Sequence, residues 1–309
     1  MNTIRIATRE SKLALWQAHF IRDQLLHRFA DFQIEIVGMT TAGDRWLDKP
    51  LSEVGGKGLF IKELEAAILA GKADIAVHSM KDLPAHLPPG FSLEAIGYRA
   101  DVHDVLVGVS HLDELESGAK VGSSSLRRKA QLLATRPDLD VQPIRGNVGT
   151  RLDKLMTGDF DAIVLAQAGL DRLALDVEAS WQIPVEVSLP AAGQGALGVE
   201  CLADSPVAAL IAQLNDSSVS RCVMAERGVS AGLGADCSAP LAAYARYVEE
   251  NDPATADAPI LLAAKLGSPD GKTLIIAQAQ GDDPEALARE VVDSLKEQGA
   301  LEILADLNG

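Results

Sequence analysis

Along the first two-thirds of the chain, hydrophobic positions switch repeatedly between a period of two and a period near that of a helix. Residues 4–8 alternate as a short strand. Leu13, Trp16, Phe20, Leu25 and Phe29 follow at roughly helical spacing, and Ser11 just ahead of them fits a helix N-cap. Residues 33–39 alternate again through Ile34 and Ile36. A glycine-rich stretch, Gly55-Gly-Lys-Gly58, opens a second helical run with Ile61, Leu64 and Ile68 on one face, which Gly71 ends. Residues 74–80 predict the next strand, with the polar turn His78-Ser-Met-Lys-Asp82 at its end.

Pro84, Pro88 and Pro89 interrupt this pattern, and a new strand near Asp104 predicts a change of domain. The same logic then repeats: a strand at 104–109, one running into 123–125, a helix to Thr135, a strand into Arg145, a helix from Thr150 and a strand at 160–166. Such alternation predicts parallel sheets with helices on both faces. After Pro190, the segment Ala191-Ala-Gly-Gln-Gly-Ala-Leu-Gly198 runs into a strand at 199–201 and predicts a second crossing, back to the first lobe. The remainder changes style. Residues 260–267 and 273–279 read as a hairpin around 268–271, and 284–298 as an amphipathic helix, so a small α+β domain is expected.

Charge narrows the function. The 309 residues carry a net −16, and from Cys222 onward six Lys/Arg face fifteen Asp/Glu. Nucleic acid is not expected as a partner, because the basic residues are few, sit at turns and lack an aromatic stacking platform. No apolar run approaches a membrane span, and the first ten residues hold Arg5, Arg9 and Glu10, so neither a membrane segment nor a secretory signal is expected. Cys201, Cys222 and Cys237 cannot all pair and match no zinc spacing, which predicts free thiols and a cytoplasmic protein. Cys201 and Cys222 read as packing residues; Cys237 lies in a loop.

Against the acidic background two basic turns stand out: Val121-Gly-Ser-Ser-Ser-Leu-Arg-Arg-Lys129 and Ile144-Arg-Gly-Asn-Val-Gly-Thr-Arg151. Each sets arginines beside the start of a helix, whose unpaired N–H groups attract anions, and guanidinium forks match carboxylates. Ligands in such folds bind at the carboxyl ends of strands, and Arg9, Lys81, Asp82, Arg127, Arg128, Arg145 and Arg151 all fall there. A pocket for a ligand with several carboxylates or phosphates is expected. Asp82, a carboxylate among these cations, suits a reaction that develops positive charge. Gly193-x-Gly195-x-x-Gly198 leads into a strand instead of opening a helix, so it reads as a hinge or tight turn. Lys57 belongs to a candidate lid. A non-catalytic two-lobed binder of a polycarboxylate solute and an enzyme of phosphate esters remain alternatives at this point.

Three long motifs, Ile6-Ala-Thr-Arg-Glu-Ser-Lys-Leu-Ala-Leu-Trp-Gln17, Val54-Gly-Gly-Lys-Gly-Leu-Phe-Ile-Lys-Glu-Leu-Glu65 and Asp74-Ile-Ala-Val-His-Ser-Met-Lys-Asp-Leu-Pro84, closely resemble the porphobilinogen deaminase (hydroxymethylbilane synthase) family. So do residues 122–128, 144–151, Leu189-Pro-Ala-Ala-Gly-Gln-Gly-Ala196 and the Cys237 loop, in order along the chain. The resemblance implies an α/β protein: two lobes like those of periplasmic binding proteins, with mixed, mainly parallel sheets, and a small α+β C-terminal domain. The implied boundaries are 1–98 with 196–215, 102–191 and 218–309, with the active site in a cleft. It also implies a monomeric transferase that joins four porphobilinogen molecules head to tail, releasing ammonia each time, to give hydroxymethylbilane. The implied primer is a dipyrromethane cofactor held by a thioether to Cys237. Asp82 takes the catalytic place by resemblance. Arg9, Ser11, Lys81, Ser125, Arg127, Arg128, Arg145 and Arg151 take the cofactor contacts. Arg9, Arg145, Arg151, Arg172, Lys57, Phe60 and Gln194 take the substrate contacts. Ala42, Val102-His103 and Ala235-Asp236 depart from the family's pattern, and none of them is assigned to chemistry.

Overall fold

Alternating apolar side chains give the first strand, β1 (Thr3–Arg9), two buried faces, with Ile4 and Ile6 on one and Ala7 on the other. The computed structural model describes residues 3–41, 61–236, 238–248 and 258–307. Helix α1 (Lys12–Arg28) begins where the Ser11 hydroxyl accepts the Ala14 N–H, and it lays Ala18, Ile21 and Leu25 over Ile4 and Ile6. After β2 (Gln33–Met39), α2 (Lys62–Leu69) covers the opposite face with Leu64, Ala67 and Ile68 against Ala7 and Ala76. β3 (Ile75–Ser79) and β4 (Phe91–Gly97) follow.

The next stretch repeats this plan through β5 (Asp104–Val107), β6 (Lys120–Gly122), α3 (Leu126–Thr135), β7 (Asp140–Gln142), α4 (Val148–Met156), β8 (Ala162–Ala166), α5 (Gln167–Arg172) and β9 (Ser180–Gln182). Here Val105 and Val107 face one way and Leu106 the other, each into its own apolar cluster. β10 (Leu197–Leu202), α6 (Ala208–Ile211) and α7 (Ser217–Leu233) lead to β11 (Leu241–Tyr247), β12 (Ile260–Gly267), β13 (Leu274–Gly281), α8 (Pro284–Glu297) and α9 (Ala300–Ala305).

Two five-stranded sheets result, ordered β2-β1-β3-β10-β4 and β7-β6-β8-β5-β9. They share one topology. In each, three strands run parallel, and the fourth, β10 or β5, lies antiparallel to both its neighbours. The sheets are mixed, with as many antiparallel pairings as parallel ones, where the alternating pattern predicted parallel sheets. β5 and β10 are the strands that follow a passage of the chain from one compact unit to the other. Met1–Arg99 with Gly195–Ser220 form one unit, and Ala100–Gln194 with Arg221–Gly309 the other. A strand arriving from outside need not obey the right-handed crossover that keeps successive βαβ strands parallel.

Within the second unit, β11, β12 and β13 form an antiparallel sheet whose Leu262, Leu266 and Ala277 pack on Val229 of α7 and on Val291 and Leu295 of α8. Asp283 caps α8, taking the Glu285 and Ala286 N–H groups, with Pro284 in the first turn. The turn between β12 and β13 docks on α3. A Cβ on Gly271 would lie 2.6 Å from Leu133 Cβ and 2.7 Å from the Ala134 nitrogen, at a φ of +72°.

Candidate functional site

In the first unit, the adjacent parallel strands β1 and β3 end side by side, with Ala7 opposite Ala76. The chain leaves β1 through half-buried Arg9 to Ser11, the α1 cap, and leaves β3 through one 3-10 turn, Met80–Asp82. Met80 anchors that turn. It is 1% exposed and lies against Gly198 of β10, where a Cβ would sit 2.3 Å from its sulfur. Its N–H donates to Ala196 O at 3.0 Å, and Gln17 Nε2 donates to Ser79 Oγ at 2.7 Å. With Met80 held inward, Lys81 is half-buried and Asp82 is exposed.

Beneath the turn lies a buried acid–histidine group. His78 Nε2 and Glu200 Oε2 are 2.8 Å apart, joining β3 to β10. Glu65 of α2 belongs to the same group: burial pushes its carboxyl up, Glu200 adds to the effect, and His78 and Lys62 oppose it.

The second unit brings the other basic residues to the carboxyl ends of β6, β7 and β8, which neighbour one another in parallel. After β6, Ser125 caps α3 by accepting the Arg128 N–H. After β7, Arg145 leads to Asn147, whose Oδ1 takes the Thr150 N–H at 3.0 Å, so α4 starts two residues before Thr150. Ser124 Oγ donates to Ile144 O at 2.6 Å and ties the two turns together. Arg151 Nε donates to Gly146 O at 2.9 Å. Arg172 is buried at the end of α5, the helix after β8.

Arg127 and Arg128 are not open forks. They are 5% and 7% exposed, and both turn inward to Asp104 at the start of β5. Arg127 also donates to Leu189 O, and Arg128 to Val164 O. Three N–H groups of each guanidinium are engaged, which leaves two of its five. Burial alone would raise the Asp104 carboxyl, but the two guanidinium charges hold it far below the carboxylate range. Burial depresses the Arg127 guanidinium in turn, against the pull of Asp104.

Gln194 sits in a turn between two glycines of left-handed φ, Gly193 at +73° and Gly195 at +85°. Its Nε2 donates to Val102 O at 2.6 Å and to Asp104 Oδ1 at 3.0 Å. Cys237, Lys57 and Phe60 lie outside the described residues. Cys201 and Cys222 are buried, and burial pushes the Cys201 thiol up to about 11, as an inert packing residue requires. The pattern of the chain did not single out Asp104, Ser188, Glu65, His78 or Glu200. The one signal for Asp104 was an acid opening an apolar strand, Asp-Val-Leu-Val.

Among the described residues no cluster suits a metal ion. The turns of the second unit instead suit a polycarboxylate. Asp104 balances one of its two guanidiniums, Arg145 and Arg151 add positive charge beside the start of α4, and Arg172 adds it at the end of α5. Arg145 NH1 is a buried donor without a hydrogen-bond partner, as a site made for an incoming oxygen would leave it.

Residues 4–209 match a family described as "Porphobilinogen deaminase, dipyromethane cofactor binding domain", and residues 220–297 match "Porphobilinogen deaminase, C-terminal domain". A protein of Thiobacillus denitrificans named porphobilinogen deaminase is 51% identical over 309 residues, covering 98% of both chains. Among solved structures, a methionine-binding protein, MetQ, matches 69% of this chain and 89% of its own at 12% identity and a TM-score of 0.42. A probable amino-acid ABC transporter binding protein of Bacillus subtilis matches 68% and 90% at 11% identity and a TM-score of 0.41.

Proposed function

The chain belongs to the porphobilinogen deaminase family, and on that premise we propose how its residues divide the work of a hydroxymethylbilane synthase. The reaction joins four porphobilinogen molecules head to tail, with loss of ammonia at each step, in tetrapyrrole biosynthesis. The observation that supports the division best is the sorting of charge: an exposed carboxylate, Asp82, in one unit, and in the other four arginines at neighbouring strand ends with Arg172 one short helix beyond a third.

Each porphobilinogen ring carries an acetate and a propionate, so the growing chain accumulates negative charge that Arg145, Arg151 and Arg172 neutralise with Arg127 and Arg128. Arg9, Lys81 and the Ser11 turn supply the same attraction in the first unit, and Lys57, Phe60 and Gln194 complete the substrate contacts. The dipyrromethane cofactor, held through the Cys237 sulfur, supplies the pyrrole end from which the product grows. Ser11, Lys81, Ser125 and the arginines at 9, 127, 128, 145 and 151 hold its carboxylates. Loss of ammonia from the aminomethyl group of porphobilinogen leaves a cation. Asp82 stabilises that positive charge and exchanges a proton with the pyrrole nitrogen.

The proposed domains are 1–98 with 196–215, 102–191 and 218–309, the last carrying Cys237. The chain is read as a cytoplasmic monomer with no nucleic-acid or membrane partner. Its acidity supports this, and none of its described helices is long and apolar enough to cross a membrane. Gel filtration checks the oligomeric state.

Intact mass of the denatured protein, beside a Cys237→Ser variant, tests the central reading. An excess equal to two porphobilinogen units less their ammonia, absent from the variant, is expected. A bare mass that stays bare after incubation with porphobilinogen or hydroxymethylbilane sinks it.

A further inference from the structure

Six hydrogen bonds from four side chains converge on the fully buried carboxylate of Asp104. Arg127 NH1 and NH2 reach it at 2.7 and 3.2 Å, and Arg128 Nε and NH2 at 3.0 and 2.7 Å. Ser188 Oγ and Gln194 Nε2 donate at 2.8 and 3.0 Å.

This convergence is not what the helix alone provides. Successive residues of an α-helix project about 100° apart, so Arg127 and Arg128 at the start of α3 would leave the axis in different directions. Sharing Asp104 brings both guanidiniums to one point and fixes their planes. It also sets their charge, because two cations on one anion leave a surplus of one positive charge in a buried place. The same node holds the segment that leads out of the unit. Ser188 and Gln194 bond Asp104 directly, Arg127 NH1 and Gln131 Nε2 both bond Leu189 O, and Gln131 Oε1 accepts the Leu189 N–H at 2.7 Å.

We propose that Asp104 is a positioning residue of the anion site, converging Arg127 and Arg128 so that their combined surplus charge and remaining N–H groups meet a carboxylate of the pyrrole chain. The proposal rests on the reading of these turns as a carboxylate site. Asp104 touches no ligand; it acts through the arginines.

Two variants test it, Asp104→Glu and Ser188→Ala. Glutamate keeps the charge but moves the carboxylate by one methylene. Alanine at 188 keeps every charge and removes one of the bonds that orient Asp104. For each variant, three properties are measured: thermal unfolding of the unloaded protein, the rate of mass gain on incubation with porphobilinogen, and KM and kcat of the loaded enzyme. Asp104→Glu is expected to load at least tenfold more slowly. Ser188→Ala is expected to raise KM about three- to tenfold with kcat within about twofold, the signature of weakened ground-state binding. Wild-type loading and KM in variants that melt like the wild type overturn the proposal and make Asp104 a structural counter-ion. If Asp104→Glu does not fold, an unchanged KM in Ser188→Ala is enough to overturn it. A wild-type protein that never gains mass overturns the carboxylate-site reading itself, and the proposal falls with it.

Discussion

Asp82 is exposed, while the residues that hold its turn, Met80, Gln17 and His78, are buried. A side chain so placed contributes little to stability, which suits the chemical role proposed for it. Replacing it with alanine is expected to lower kcat by on the order of 10²- to 10⁴-fold, the usual worth of proton transfer. The unfolding free energy should stay within about 0.5 kcal/mol, as for other surface changes. Steady-state kinetics and urea denaturation of the same preparation check both, and normal turnover with Asp82→Ala would remove Asp82 from the chemistry. Glu65 is the opposite case, buried beside Glu200. Its folded pKa is raised above the unfolded value of about 4.3, so its contribution to stability is full below that pH and is lost as pH rises through the folded pKa. Glu65→Gln is therefore expected to melt above the wild type at pH 7, with the gap closing near about pH 4. Thermal melts at the two pH values decide it; an equal gap at both assigns the effect to packing.

Elements meet closely at two glycines. Gly271, at φ +72°, seats the β12–β13 turn against the backbone of α3, where a residue with a Cβ is strained and lacks room. Gly271→Ala is expected to cost about 1–3 kcal/mol or more, read from the urea midpoint. Gly198 admits Met80 beneath β10, and a methyl group there must push Met80, and with it the turn that carries Asp82. Gly198→Ala should lose about 1–3 kcal/mol of stability from overpacking. Its kcat, measured under conditions where the variant is fully folded, should also fall. A folded variant with unchanged kcat shows that Met80 can shift without moving Asp82.

Across the molecule, buried acids join segments that are distant in sequence. Glu226 of α7 is 0% exposed and accepts two backbone N–H groups, from Gly193 at 2.7 Å and from Ala245 of β11 at 2.8 Å. It thereby fastens the C-terminal sheet to the segment that precedes the passage at Gly195. The Ala243 N–H, donated to Pro190 O at 3.1 Å, fastens it again. A glutamine at 226 offers only one acceptor oxygen and sets an NH₂ against the other N–H. Glu226→Gln should cost about 1–3 kcal/mol, the price of one unsatisfied buried donor, measured by denaturant unfolding.

The sequence by itself determined what depends on neighbours a few residues away. The strand–helix alternation through β1, α1, β2 and β3, the Ser11 cap, the β12–β13 hairpin and the α8 helix were legible as periodicity and capping. The basic residues at strand ends were legible for the same reason. Only the tertiary structure decided which strands pair. β4, β9 and β11 carry no distinctive local pattern and exist because a neighbouring edge needs a partner for its hydrogen bonds. The antiparallel placement of β5 and β10 likewise follows from where the chain re-enters each sheet. The largest revision came at Arg127 and Arg128. As a sequence they are two cations at a helix start; in the fold they turn inward to Asp104, more than twenty residues away. His78 and Glu200, a buried hydrogen-bonded pair, likewise meet across 122 residues. A buried charge takes whatever counter-charge the sheet order brings within reach, and desolvation makes that pairing strong enough to redirect the side chain.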